Sequence, residues 1–72
     1  MEKLLEIINS IQKNRGRDIV TKLDNDMSLR GDLGFDSLDL AELTVKVEAQ
    51  WDVDIFEDGL ISTVGEIVEK IS

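Results

Sequence analysis

Apolar residues recur at helical spacing in three stretches of the chain. Leu4, Ile7, Ile8 and Ile11 fall at i, i+3, i+4 and i+7, which predicts a helix over residues 2–14. Asn14 and Gly16 are its expected stop. Leu40, Leu43, Val47 and Trp51 keep one face of a second helix over residues 37–51, with Thr44 beside them. Asp36 suits its N-cap, Asp39 falls at the third helical position as a capping-box partner, and Asp52-Val53-Asp54 closes it. Val64, Ile67, Val68 and Ile71 repeat the pattern behind the capping sequence Thr63-Val64-Gly65-Glu66, predicting a helix over about 64–71. Ile55 to Leu60 is read as a short third helix ended by Gly59. Residues 17–35 form a long connection, in which Asp18 to Leu23 adds one helical turn. A connection of that length needs anchors, and Ile19, Val20, Leu23, Leu29 and Leu33 are the candidates. Strand-type alternation is weak, so the expected class is all-α, with three main helices and one minor one.

Length and composition narrow the possibilities. The 72 residues make a single domain, 1–72. A domain of this size buries only roughly 60% of its unfolded surface. With no Cys there is no disulfide and no thiolate ligand, and with no His the commonest metal ligand and general base are missing. No metal site is expected. The net charge of −8 is unevenly placed. Residues 1–30 hold six basic and five acidic side chains, whereas residues 31–72 hold Lys46 and Lys70 against eleven acids. Nucleic acid is therefore an unfavourable partner, and a basic protein surface the natural complement. No run approaches the roughly 18 apolar residues of a membrane span. Glu6 interrupts the apolar start that a signal peptide would need, so a soluble, cytoplasmic monomer is expected.

Self-contained catalysis finds no support. A Ser-His-Asp triad is impossible without His. The context of Ser37, Gly34-Phe35-Asp36-Ser37-Leu38, is not a nucleophile elbow. Asp24-Asn25-Asp26-Met27-Ser28 starts like a calcium-binding loop, but Leu29 and Phe35 stand where that loop needs Gly and Glu. What remains is Ser37 itself, delivered by a Gly-containing turn to the first position of a helix. Unpaired N–H groups and the positive end of the helix dipole meet there, favourably for a phosphate diester. On capping preference alone Ser37 is an ordinary helix-start residue.

Its surroundings change that reading. Asp32-Leu33-Gly34, one variable residue, then Asp36-Ser37-Leu38-Asp39 resembles the phosphopantetheine attachment signature of acyl carrier proteins. The likeness extends to the helix order, the long first loop, Glu42, Leu43, Val47, Glu48, Trp51, Ile55 and Ser62-Thr63-Val64. It covers most of the chain and is strongest over 29–71. Departures from the fatty-acid-synthesis pattern are Phe56 in place of a common Pro, a shortened Ile55-to-Val64 stretch, Lys46 within the acidic run, and Ala49 in place of a second Glu. They bear on partner recognition and not on attachment.

The resemblance implies a four-helix bundle with a short third helix and a long loop between the first two. It implies a carrier and not an enzyme. A phosphopantetheinyl transferase would move 4'-phosphopantetheine from coenzyme A onto Ser37, between Asp36 and Leu38. The arm's thiol would then carry acyl groups in fatty acid or related lipid or secondary-metabolite synthesis. Asp36, Asp39, Glu42, Val45 and Glu48 would meet basic docking surfaces on acyl-transferring or synthase enzymes. Leu38, Leu43, Val47, Ile55 and Ile61 would line the acyl chain. Two alternatives stand beside this: a D-alanyl, aminoacyl or peptidyl carrier of the same fold, and an acidic helical interaction module whose Ser37 is never modified.

Overall fold

The computed structural model describes residues 2–57, 59 and 61–71. Among these residues three helices are formed: α1 over Glu2–Asn14, α2 over Ser37–Trp51 and α3 over Val64–Ile71. Helix α1 buries Leu4, Ile7, Ile8 and Ile11, the face set by their spacing, together with Gln12. It ends on Gly16, whose φ of +71° is natural for a residue without Cβ. The N–H of Gly16 donates to the Lys13 carbonyl at 3.1 Å and that of Arg17 to the Gln12 carbonyl at 2.9 Å, the paired bonds of a Schellman stop. Helix α2 starts on the reciprocal box expected of Asp36 and Asp39. It stops where Asp52 turns left-handed at φ 57°, its N–H donating to the Glu48 carbonyl at 2.8 Å.

The connection between α1 and α2 is held by polar tethers as much as by apolar anchors. Residues 18–23 do not form the expected helical turn. The Asn9 amide instead pairs with the backbone of Val20, accepting from its N–H at 2.7 Å and donating to its carbonyl at 2.8 Å. A side chain that satisfies both backbone groups removes the need for helix there. Of the predicted anchors, Leu29 and Leu33 are buried and Val20 and Leu23 are partly buried, while Ile19 is 53% exposed. Phe35 joins the core beside them. Next to Leu29, a single antiparallel bridge links Ser28 to Thr63. Leu29 N–H donates to the Ser62 carbonyl at 2.9 Å, and Val64 N–H to the Met27 carbonyl at 3.0 Å. This ties the loop to the start of α3, where the Glu66 carboxylate accepts from the Ser62 N–H at 3.2 Å and the Ser62 hydroxyl at 3.0 Å.

The short third helix expected over residues 55–60 is not formed among the described residues. Phe56 N–H donates to Asp54 Oδ1 at 2.9 Å, and Glu57 and Gly59 make isolated turn bonds back to Asp54 and Phe56. Gly59 sits at φ +120°, outside helical geometry, and Asp58 and Leu60 lie outside the described residues. Ile55 and Ile61 nevertheless reach the core.

Candidate functional site

The N-terminus of α2 is where the chain concentrates its chemistry. Asp36 Oδ1 accepts from the Asp39 N–H at 3.0 Å, and Asp39 Oδ2 accepts from the Asp36 N–H at 2.9 Å. Two arginines from the loop after α1 close on this box. Arg15 Nη2 donates to Asp36 Oδ2 at 2.8 Å and its Nε lies 3.4 Å from Asp39 Oδ1. Arg17 Nη2 donates to Asp39 Oδ2 at 2.8 Å, and its Nη1 donates to Gln12 Oε1 at 3.2 Å. Buried Gln12 in turn donates to the Leu33 carbonyl at 2.9 Å, so the end of α1 fixes both the turn before α2 and its cap. Burial by itself would raise the Asp39 carboxyl. The Asp36 N–H and the two guanidiniums outweigh it and hold the group below its ordinary 3.8.

Ser37 follows this clamp at the first position of α2 and is exposed, with no hydrogen bond from its hydroxyl to any of the described residues. Of the four leading amides of α2, those of Asp39 and Leu40 are bonded to Asp36, which leaves the Ser37 and Leu38 N–H groups at the helix start. Beside Ser37 opens a largely apolar groove of about 380 Å³, lined by Arg30, Ser37, Leu40, Ala41, Thr44 and Phe56. It runs between α2 and the turn at residues 55–57.

Residues 2–71 match the family described as "Phosphopantetheine attachment site". The chain belongs to the acyl carrier protein family. It is 30% identical over 73 residues to the mitochondrial acyl carrier protein of Saccharomyces cerevisiae, which covers 99% of this chain and 58% of that protein. It is 46% identical over 46 residues to the acyl carrier protein of Amoebophilus asiaticus, covering 61% of this chain and 58% of that one. The chain thus spans a little under three-fifths of the length of these curated relatives. No solved structure matches. Members of the family are carriers and not enzymes, and their prosthetic group is covalent 4'-phosphopantetheine. One relative is mitochondrial by name, so a cytoplasmic location does not follow from membership. Among the described residues no helix is long and apolar enough to cross a membrane, and no acid cluster could hold a metal ion.

The site suits a group joined through phosphate: an accessible hydroxyl, two helix-start amides beside it, and an apolar groove within reach. The residues proposed from sequence for docking and cargo divide sharply in this carrier domain. Leu38 and Val45 are 70% and 67% exposed, and with Glu42 and Glu48 they follow one outward stripe of α2 at spacings of four, three and three. Asp39 does not belong to that stripe. Only 1% exposed, it shares the inward face of Leu43 and Val47, four and eight residues on, and its charge is spent inside the domain. Asp36 remains exposed but is engaged by Arg15. Leu43, Val47, Ile55 and Ile61 are buried together in the core, whereas Leu38 points away from it. Arg15, Arg17 and Gln12, which build the clamp, were not among the expected site residues. The signal for the pairing was available: Asp39 keeps the spacing of core positions, and an acid there needs cations.

Proposed function

We propose that Ser37 receives the phosphopantetheine arm, and that the domain presents acyl thioesters on it to partner enzymes of fatty acid or related lipid or secondary-metabolite synthesis. The observation that carries this reading is an exposed, unengaged Ser hydroxyl at the start of α2, inside a chain that matches an attachment-site family over residues 2–71. With no His in the chain, deprotonation of Ser37 falls to the transferase. The Ser37 oxygen forms the new bond to phosphorus, the nucleotide half of coenzyme A leaves, and the hydroxyl proton passes to the enzyme's base. The Arg15–Asp36 pair neutralises a carboxylate that would otherwise repel the incoming phosphate. The arm supplies the thiol that a chain without Cys lacks.

The groove beside Ser37 supports partial shelter of the cargo between α2 and the 55–57 turn. Leu40, Ala41 and Phe56 are its apolar contacts as folded. Leu43, Val47, Ile55 and Ile61 form the layer behind them, which a longer chain reaches only by parting the core. An aminoacyl, peptidyl or D-alanyl cargo uses the same attachment, while the family match favours a modified carrier over an unmodified interaction module. The test is intact mass after incubation with coenzyme A and a broad-specificity transferase. One phosphopantetheinyl group adds to the wild type and none to Ser37→Ala. Equal labelling of both proteins would refute the assignment of Ser37.

A further inference from the structure

One lining residue of the groove is not used by the attachment chemistry. Among the described residues that line the groove, Arg30 is the only charged side chain, beside Ser37, Leu40, Ala41, Thr44 and Phe56. It is exposed, and among the described residues no carboxylate lies within ion-pair distance of it. The other two loop arginines that lie near α2 are both committed to Asp36 and Asp39.

The backbone that carries Arg30 is tightly fixed. On one side Leu29 is buried and its N–H donates to the Ser62 carbonyl at 2.9 Å. On the other, the Gly31 N–H donates to Ser28 Oγ at 2.9 Å and the Asp32 N–H to the Ser28 carbonyl at 3.0 Å. Asp32 returns the contact, its Oδ2 accepting from the Ser28 N–H at 2.7 Å. A long cationic side chain on a hydrogen-bonded turn therefore lines the same apolar groove as Ser37. Its placement runs against the local charge, since residues 31–72 hold eleven acids and two lysines. Among the described residues it contributes no ion pair to the fold.

We propose that Arg30 positions the prosthetic arm, its guanidinium pairing with the phosphodiester on Ser37 and drawing the arm across the groove. The inference rests on Ser37 being the attachment site. A guanidinium matches two phosphate oxygens at once, which an ammonium does not. The diester is tethered to Ser37, so the pair forms without the cost of bringing two molecules together. An exposed pair is modest, which suits an arm that must leave the groove for each partner: it enriches the docked arm by roughly two- to fivefold.

The experiment compares apo and holo wild type, with loading verified by intact mass, and then holo Arg30→Gln and Arg30→Lys. Nitrogen–proton spectra follow the Arg30 Nε–Hε group, and phosphorus spectra follow the diester. Loading shifts the Arg30 Nε–Hε resonance, and about 0.5 M salt reverses the shift by screening. The phosphorus resonance moves in Arg30→Gln, and its nuclear Overhauser contacts from the arm to Ala41 and Phe56 fall roughly two- to fivefold, with partial recovery in Arg30→Lys. A fully loaded wild type whose Arg30 Nε–Hε resonance matches the apo form would overturn the role of Arg30 and leave Ser37 as the attachment site. A wild type that takes up no arm, or takes it up on another serine, would overturn both.

Discussion

At the scale of the residue, Asp39 shows how one side chain serves fold and site together. It closes the cap of α2, takes two arginines from the preceding loop and sits 1% exposed beneath Ser37. Removing Asp39 takes away the cap and leaves Arg17 without its carboxylate, while Arg15 keeps Asp36, so Asp39→Ala is expected to cost about 2–4 kcal/mol in denaturant unfolding. The Arg15 and Arg17 side chains are partly exposed, which keeps the figure below that of a fully buried pair. The pH dependence follows from the same contacts. The folded carboxyl lies below its ordinary 3.8, so its stabilisation is complete above that value and is lost as pH falls through the lower folded value. Melting curves of wild type and Asp39→Asn should converge below pH 3.8 and separate above it. Parallel curves through that range would show that the charge of Asp39 contributes nothing. Asp39 was legible from sequence as a cap. Its burial follows from its four-residue spacing to Leu43, whereas the docking expectation grouped it with Glu42, three residues on, and with the arm site beside it. Arg15 and Arg17 were harder to place, because their partners lie 21 to 24 residues away across a loop whose path no periodicity sets.

At the scale of the element, helices with both a periodic face and a capping sequence were fully legible. α1, α2 and α3 fall on the residues predicted from their spacing. The segments without such a face were not. Residues 18–23 are shaped by Asn9, and residues 55–57 by Asp54 and Gly59, through contacts that leave no periodic trace. The junction of the loop with α3 gives a sharp test. A Cβ on Gly65 would stand 2.9 Å from the Asn25 carbonyl oxygen, which is itself the acceptor of the Gly65 N–H. Ala is favoured over Gly within a helix by about 1 kcal/mol, so propensity alone makes Gly65→Ala stabilising. The clash is with backbone and cannot be relieved by a rotamer change, so the substitution is expected to destabilise by about 1–2 kcal/mol net. A raised melting temperature for Gly65→Ala would mean that the bridge between Asn25 and α3 gives way easily.

At the scale of the whole molecule, the charge asymmetry seen in the sequence resolves into an inner and an outer set. Asp36 and Asp39 are taken up by the arginine clamp, while Glu42 and Glu48 stand on the outward stripe with Leu38 and Val45. Glu42 reaches Lys46 only at 4.0 Å, too loosely to cancel its charge. A basic partner surface is therefore expected to read Glu42 and Glu48 around an apolar centre. Glu42→Lys with Glu48→Lys should slow transfer of the arm roughly three- to tenfold at low salt and flatten its dependence on ionic strength. Wild-type rates for that double variant at low salt would remove this stripe as the docking face. Docking and arm positioning both depend on where the arm is joined. The most direct measurement is fragmentation mass spectrometry of the wild-type protein after loading from coenzyme A, which locates the added group within the chain. The phosphopantetheinyl mass is expected on Ser37, between Asp36 and Leu38, and on no other residue; its appearance on Ser28 or Ser62 would contradict attachment at the start of α2.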